Sequence, residues 1–206
     1  MPSDPLILAF DTSAAHCAAA LLSGDDILAC RFEEMARGQA ERLFPLLEDV
    51  LAQGDVAWSA LDGIGVGVGP GNFTGIRIGV SAARGLALGL DIPAVGISTL
   101  EAFAYGAVRP CLSVLEARRG MVFAQSFDVD GPRECRVYEA GETLPETARA
   151  PVLAAQDWAE VIARMAAKRV ALGGEIAAPA PMYARAADAA PPRDPAPVIL
   201  PGARPN

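Results

Sequence analysis

The chain has 206 residues, 52% of them hydrophobic, which supplies a sizeable folded core and excludes a disordered or low-complexity chain. Its formal net charge is −8, with the Lys and Arg residues scattered rather than clustered, which excludes a protein that grips nucleic acid by itself. Four widely spaced cysteines, Cys17, Cys30, Cys111 and Cys135, show no CxxC and read as reduced thiols, so neither a disulfide framework nor a metal site is expected.

The opening MPSDPLILAFD has no basic n-region, and Asp4 and Asp11 bracket its apolar run, so a cytoplasmic protein without a signal peptide is expected. LILAFD reads as a buried strand, followed by HCAAALL and, after the turn residues SGDD, by ILACRFEE. Three strands joined by tight turns predict an antiparallel meander. Residues 39–53 then read as a helix, with Leu43, Leu46, Leu47, Val50 and Leu51 on one stripe and Glu41, Arg42, Glu48 and Asp49 opposite. Pro45 inside it predicts a kink or a later start.

The next stretch, GIGVGVGPGNFTGIRIG, is the most informative in the chain. Gly63, Gly65, Gly67, Gly69 and Gly71 alternate with Ile64, Val66, Val68 and Pro70, so a strand here has one bare face and one aliphatic face. Glycine inside a strand marks close approach by a ligand or another backbone. Residues 74–90 read as a helix, in which Gly75, Gly79 and Ala83 form one row, and Ile78, Ala82, Gly85 and Gly89 a neighbouring band. Arg77, Ser81, Arg84 and Leu88 make the wet side, and the two arginines speak against a membrane span. Each helical glycine costs about 0.8–1 kcal/mol against alanine. Close packing of this helix on the bare strand face is the expected compensation, with a second helix, from residues 43–51 or from a partner subunit, on the remaining small-residue band. The loop 69–75 offers backbone N–H groups to an anion, but it is neither a P-loop nor a dinucleotide fingerprint. It reads as a turn with Asn72 or Thr74 as helix cap.

IPAVGIS predicts another buried strand and TLEAFAYGA a short helix. CLSVLEARRGMVFAQSFD predicts a hairpin turning near residues 117–120, followed by a helix over 156–168 and a strand at RVALGG. From Pro179 the chain is rich in Pro and Ala and is expected to be extended, pinned at Met182, Tyr183 and residues 198–200.

FDTSAAHCAAALL, GVGVGPGNFTGIRIGVSAARGLALGL and IPAVGISTLEA together resemble the bacterial TsaB (YeaZ-type) family, as do GQAERLFPLLEDVL, EARRGMVFAQSFD and PMYAR. The GPGNFTGIRIG block is the specific part. That family belongs to the actin/Hsp70-like ATPase superfamily and was once grouped with glycoprotease-type peptidases. The resemblance implies an α/β fold of two ribonuclease-H-like, actin-like ATPase lobes, each a mixed sheet with packed helices. It places an N-terminal lobe with the partner-binding helices at 1–105 and a smaller, degenerate lobe with a Pro/Ala-rich tail at 106–206. It further implies a non-catalytic dimerisation subunit that supports a TsaD-type catalytic paralogue in forming threonylcarbamoyladenosine at position 37 of ANN-reading tRNAs. A TsaE-type ATPase joins the pair, tRNA is met only through the complex, and a homodimer is expected in isolation. No cofactor of its own is implied, leaving ATP and Mg to the assembled complex. The partner helices map to Leu43, Leu47, Leu51, Gly75, Ile78, Gly79, Ala82, Ala83 and Leu86. Gln39-Ala40 stands where many relatives carry His-Ser, and Glu116 where the family usually has Asp.

Two enzymatic readings remain. An ATP-dependent phosphotransferase of the superfamily would bring Asp11, Thr12 and Ser13 to a Mg-nucleotide, although the same residues suit plain turn chemistry. A peptidase would need Asp11, Ser13 and His16 as a triad, although crowding on one strand-turn opposes the required order of hydrogen bonds. The family's catalytic paralogue holds a metal through an HxxxH pair, which a chain with one histidine cannot build.

Overall fold

A computed structural model describes residues 4–183. The meander forms as expected: β1 (Leu6–Asp11), β2 (His16–Ser23) and β3 (Asp26–Glu34) pair antiparallel. β4 (Gly63–Gly67) and β5 (Ala94–Ile97) add in parallel beyond β1, giving the order β3-β2-β1-β4-β5. Two helices supply the crossover connections that parallel strands require. These are α1 (Gln39–Gln53), which leads towards β4, and α2 (Phe73–Leu90), which crosses from β4 to β5.

Side-chain alternation divides the core into two layers. Leu8, Phe10, Leu21, Ile64 and Val66 point to the side of α1 and α2, whose Leu43, Leu47, Val50, Ile76 and Val80 meet them. Ile7, Ala9, Leu22, Val95 and Ile97 point the other way, to α4 (Trp158–Leu172). α1 runs unbroken with Pro45 inside it, anchored by a continuous leucine stripe and by Arg42, which bridges Glu33 and Asp49.

A short helix, α3 (Thr99–Phe103), leads to the second sheet. Its hairpin is β6 (Cys111–Glu116) and β7 (Val122–Asp128), turning through residues 118–120. β8 (Gly131–Pro132) and β9 (Arg136–Tyr138) both pair antiparallel with β7, and one parallel bridge joins Leu112 to Arg149.

Two expectations are corrected. RVALGG is not a strand: Arg169–Leu172 completes α4, because Ile162, Ala166 and Val170 form one helical stripe over the first sheet. Gly173 and Gly174, at φ +65° and +92°, then end the helix. The bare face of β4 is covered by α4 and not by α2. A Cβ at Gly63 would lie 3.0 Å from Val170, and one at Gly65 3.0 Å from Ile162. α2 packs instead on the aliphatic face, near Val66. No helix among the described residues is long and apolar enough to cross a membrane.

Candidate functional site

Two places bear on function: the strand-turn after β1 and the outer surface of α1 and α2. At the first, Asp11 ends β1 and is 1% exposed. Its Oδ1 accepts from the Ser13 N–H (2.9 Å) and the Ser13 hydroxyl (3.0 Å), and lies 2.7 Å from His16 Nε2. Its Oδ2 has no hydrogen-bond partner among the described residues and presses against the next strand, where a Cβ at Gly67 would sit 1.7 Å from it. Gly67 therefore makes room for a carboxylate, whereas Gly63 and Gly65 make room for a helix. His16 is equally buried, with Phe32 and the edge of Trp158 against its ring at centroid distances of 5.4 and 5.2 Å. Asp11, Ser13 and His16 do hydrogen-bond together, with the carboxylate in the middle. The serine donates to Asp11 and has no bond to the imidazole, so it lacks the adjacent base that nucleophilic activation requires.

The loop from Gly69 to the start of α2 closes over this turn. The Asn72 N–H donates to the Ser13 carbonyl (2.6 Å), and the Thr12 hydroxyl to the Gly75 carbonyl (2.7 Å). Asn72 is the cap: its Oδ1 accepts from the N–H groups of Thr74 (3.0 Å) and Gly75 (3.3 Å). The Ile76 N–H bonds the Asn72 carbonyl. The amides of residues 72, 74, 75 and 76 are thus engaged within the chain, and the approach is too close for side chains. Cβ atoms at Gly71 and Gly75 would meet the Ser13 and Thr12 carbonyl oxygens at 2.2 and 1.9 Å. What approaches these two glycines is the chain's own backbone. Asp11, Thr12 and Ser13, the residues considered for a nucleotide, are brought together at this junction, where the two hydroxyls and Asp11 Oδ1 are hydrogen-bonded within the chain. Among the described residues no cluster of three or more His, Cys, Asp or Glu could hold a metal ion.

The second place is a groove of about 840 Å³ between α1 and α2. Phe44 and Glu48 line one wall, Ile78, Ala82 and Leu86 the other, and Trp58 one end. Phe44 is 45% exposed on what the sequence presents as the polar side of α1. Gly85 and Gly89 lie on the open side, where an added Cβ would meet nothing within 4 Å.

Of the nine residues expected to face a partner, Ile78, Ala82 and Leu86 line this groove and remain partly exposed. Leu43 reaches its floor but is 1% exposed, and Leu47, Leu51, Gly75, Gly79 and Ala83 are core. This is a correction with a simple cause. The leucine stripe and the Gly75–Gly79–Ala83 row are the faces these helices turn to their own sheet, where Gly79 lies against Thr12 and Val66. Phe44, Trp58, Ser81, Gly85 and Gly89 take their place on the groove. The signals that find them are an aromatic on a charged helix face and helical glycines with nothing inside the chain to meet. Tyr183 stacks on Phe73 and accepts from Arg77, while Met182 N–H bonds the Val68 carbonyl. Residues 198–200 and Arg185 lie outside the described residues.

The five-stranded mixed sheet sandwiched between helices, joined to a smaller sheet, defines a two-sheet α/β protein. A crystal structure of a Pseudomonas aeruginosa protein described as similar to the peptidase YeaZ superposes with a TM-score of 0.68 at 26% identity, over 88% of this chain and 100% of that one. The TsaD family, described as tRNA N6-adenosine threonylcarbamoyltransferase, matches residues 33–190. The chain belongs to this family and is of its TsaB/YeaZ type. The Escherichia coli tRNA threonylcarbamoyladenosine biosynthesis protein TsaB is 36% identical over 60% of this chain and 55% of its own length. The Bacillus subtilis protein of the same name is 37% identical over 57% of this chain and 52% of its own. The chain thus aligns with about half the length of these relatives.

Proposed function

We propose that this chain is a non-catalytic subunit that pairs through the α1–α2 face with a TsaD-type transferase and supports formation of threonylcarbamoyladenosine at position 37 of ANN-reading tRNAs. The observation that carries the reading is the pair Gly85 and Gly89. Each costs about 0.8–1 kcal/mol in a helix, and no atom among the described residues approaches either closely enough to need a missing side chain. A helix or loop of another polypeptide, laid in the groove beside Phe44 and Ile78, supplies the missing close contact.

The names carried by the relatives support the pathway. The engaged amides of residues 72, 74, 75 and 76 and the central position of Asp11 argue against phosphate transfer or peptide cleavage by this chain. In this reading residues 1–105 form the partner-binding lobe and 106–206 the second lobe. ATP with Mg and a TsaE-type ATPase act on the assembled complex, tRNA is reached through it, the complex works in the cytoplasm, and the chain alone self-associates through the same groove.

Reconstituting tRNA modification with TsaD-type and TsaE-type proteins, with and without this chain, tests the proposal. Modification is expected to depend on the chain, and Gly85→Leu and Ala82→Glu to remain folded while losing the complex on size exclusion. Equal modification without the chain, or normal pairing by both folded variants, overturns it. Gly79→Leu and Ala83→Glu are unsuitable probes, because both positions are core.

A further inference from the structure

Beyond the groove, α2 carries a second exposed stripe of different chemistry. Phe73, Arg77 and Arg84 fall at i, i+4 and i+11, on one side of the helix. Phe73 and Tyr183 stack at a centroid distance of 5.0 Å, yet each keeps two fifths or more of its surface exposed. Arg77 stands 4.5 Å over the Phe73 ring and donates to the Tyr183 hydroxyl at 3.0 Å. Neither Arg77 nor Arg84 forms an ion pair among the described residues, and both are exposed on a chain of net charge −8. Ile78 and Ser81, one and four positions beyond Arg77, line the groove, so the stripe and the groove form one continuous surface.

We infer that Phe73, Tyr183, Arg77 and Arg84 form a preassembled basic-aromatic rim of the partner surface, and that its occupant is an acidic segment of the TsaD-type protein. The inference rests on the pairing proposed above. Tyrosine and arginine are the side chains that most often anchor an interface. Here the stack and the hydrogen bond hold them in place before a partner arrives, which lowers the ordering cost of binding. Charge complementarity selects the partner: two exposed cations, unpaired among the described residues, match an acidic face and steer its approach. The Tyr183 contact also makes the C-terminal crossing of residues 179–183, held by Met182 on Val68, a component of that face.

The test measures dissociation constants for the complex with purified TsaD-type protein at low and moderate salt, using wild type, Arg77→Glu, Arg84→Glu, Tyr183→Ala, Tyr183→Phe and Gly85→Leu. The two charge reversals are expected to weaken binding roughly tenfold or more at low salt and less at moderate salt. Tyr183→Ala is expected to weaken it about tenfold, and Tyr183→Phe, which keeps the stack, by less. Arg84 is exposed and makes no side-chain hydrogen bond or ion pair among the described residues, so its variant is a probe with little effect on the fold. Wild-type affinity in the Arg and Tyr variants, with Gly85→Leu defective, overturns the rim and leaves the groove standing. Wild-type affinity in all of them, or no complex at all, overturns both. An intact protein complex that loses only tRNA retention in the Arg variants makes RNA phosphate the occupant and overturns the inference.

Discussion

Gly65 of β4 lies directly beneath Ala166 of α4: a Cβ on residue 65 would stand 3.1 Å from the Ala166 methyl and 3.0 Å from Ile162 and Ala9. The two residues are about a hundred positions apart in the chain, and their contact joins the second half of the molecule to the first sheet. Gly65→Val is expected to overpack this layer by roughly 1–3 kcal/mol. Chemical denaturation of the variant, read against Gly63→Ala, checks it.

Gly75 and Gly85 should respond in opposite directions to one added methyl. At Gly75 the methyl would meet the Thr12 carbonyl at 1.9 Å, and backbone on both sides leaves little room to yield. Gly75→Ala is expected to destabilise strongly, by roughly 3 kcal/mol or more, as strain at a buried site does. Gly85→Ala meets nothing and gains helix propensity, so the isolated chain is expected to be more stable by about 0.8–1 kcal/mol. Thermal melts of the two variants decide the sign.

Breaking the buried Asp11–His16 contact removes a partner from a carboxyl group that already has one unpaired oxygen. His16→Ala is expected to cost on the order of 3–5 kcal/mol, the range for a buried polar pair left half-made. Ser13→Ala, which removes one of three hydrogen bonds to the same oxygen, is expected to cost about 1 kcal/mol. Equal and small losses in both would show that Asp11 is not the hub of this turn.

Asn72 accepts two of the orphan amides of α2, so Asn72→Ala is expected to cost about 1 kcal/mol. Amide exchange of Thr74 and Gly75, accelerated in the variant, is the local readout.

Burial, reinforced by Glu33, pushes the Cys17 thiol up from its ordinary value of 9.0 to about 12. A raised folded-state value keeps the neutral thiol in the native protein while the unfolded chain ionises. The contribution to stability is therefore complete below pH 9 and is lost as pH rises from there towards 12. Cys30 and Cys135 are raised by burial in the same direction. Cys17→Ala is expected to flatten the alkaline decline in stability, measured by denaturant melts from pH 8 to 10, and Cys17 should resist alkylation in the native state.

Local pattern carried much of this structure. The apolar runs LILAFD and HCAAALL, the stripe Leu43–Leu51, the Asn72 cap and the hairpin of residues 111–128 are local features, written within a few residues of where they act. The GPGNFTGIRIG block carried the family as well. Val170 shows the limit. Its short apolar run, Val170 to Leu172, reads as a strand until Ile162 and Ala166 place it on a helical stripe facing Gly63.

By itself the sequence determined that β4 has a bare face, that α2 has two small-residue rows, and that a carboxylate and hydroxyls gather after β1. Periodicity fixes which residues share a face, and nothing more. Which element fills each face was decided by the tertiary structure: α4 on Gly63 and Gly65, the Asp11 carboxylate on Gly67, and the turn carbonyls on Gly71 and Gly75. Of the two α2 rows mapped to a partner, Gly75, Gly79 and Ala83 pack inside their own chain, and the neighbouring one stays open. A missing side chain records only that something comes close. Its identity depends on contacts between segments far apart in the chain, which only folding brings together.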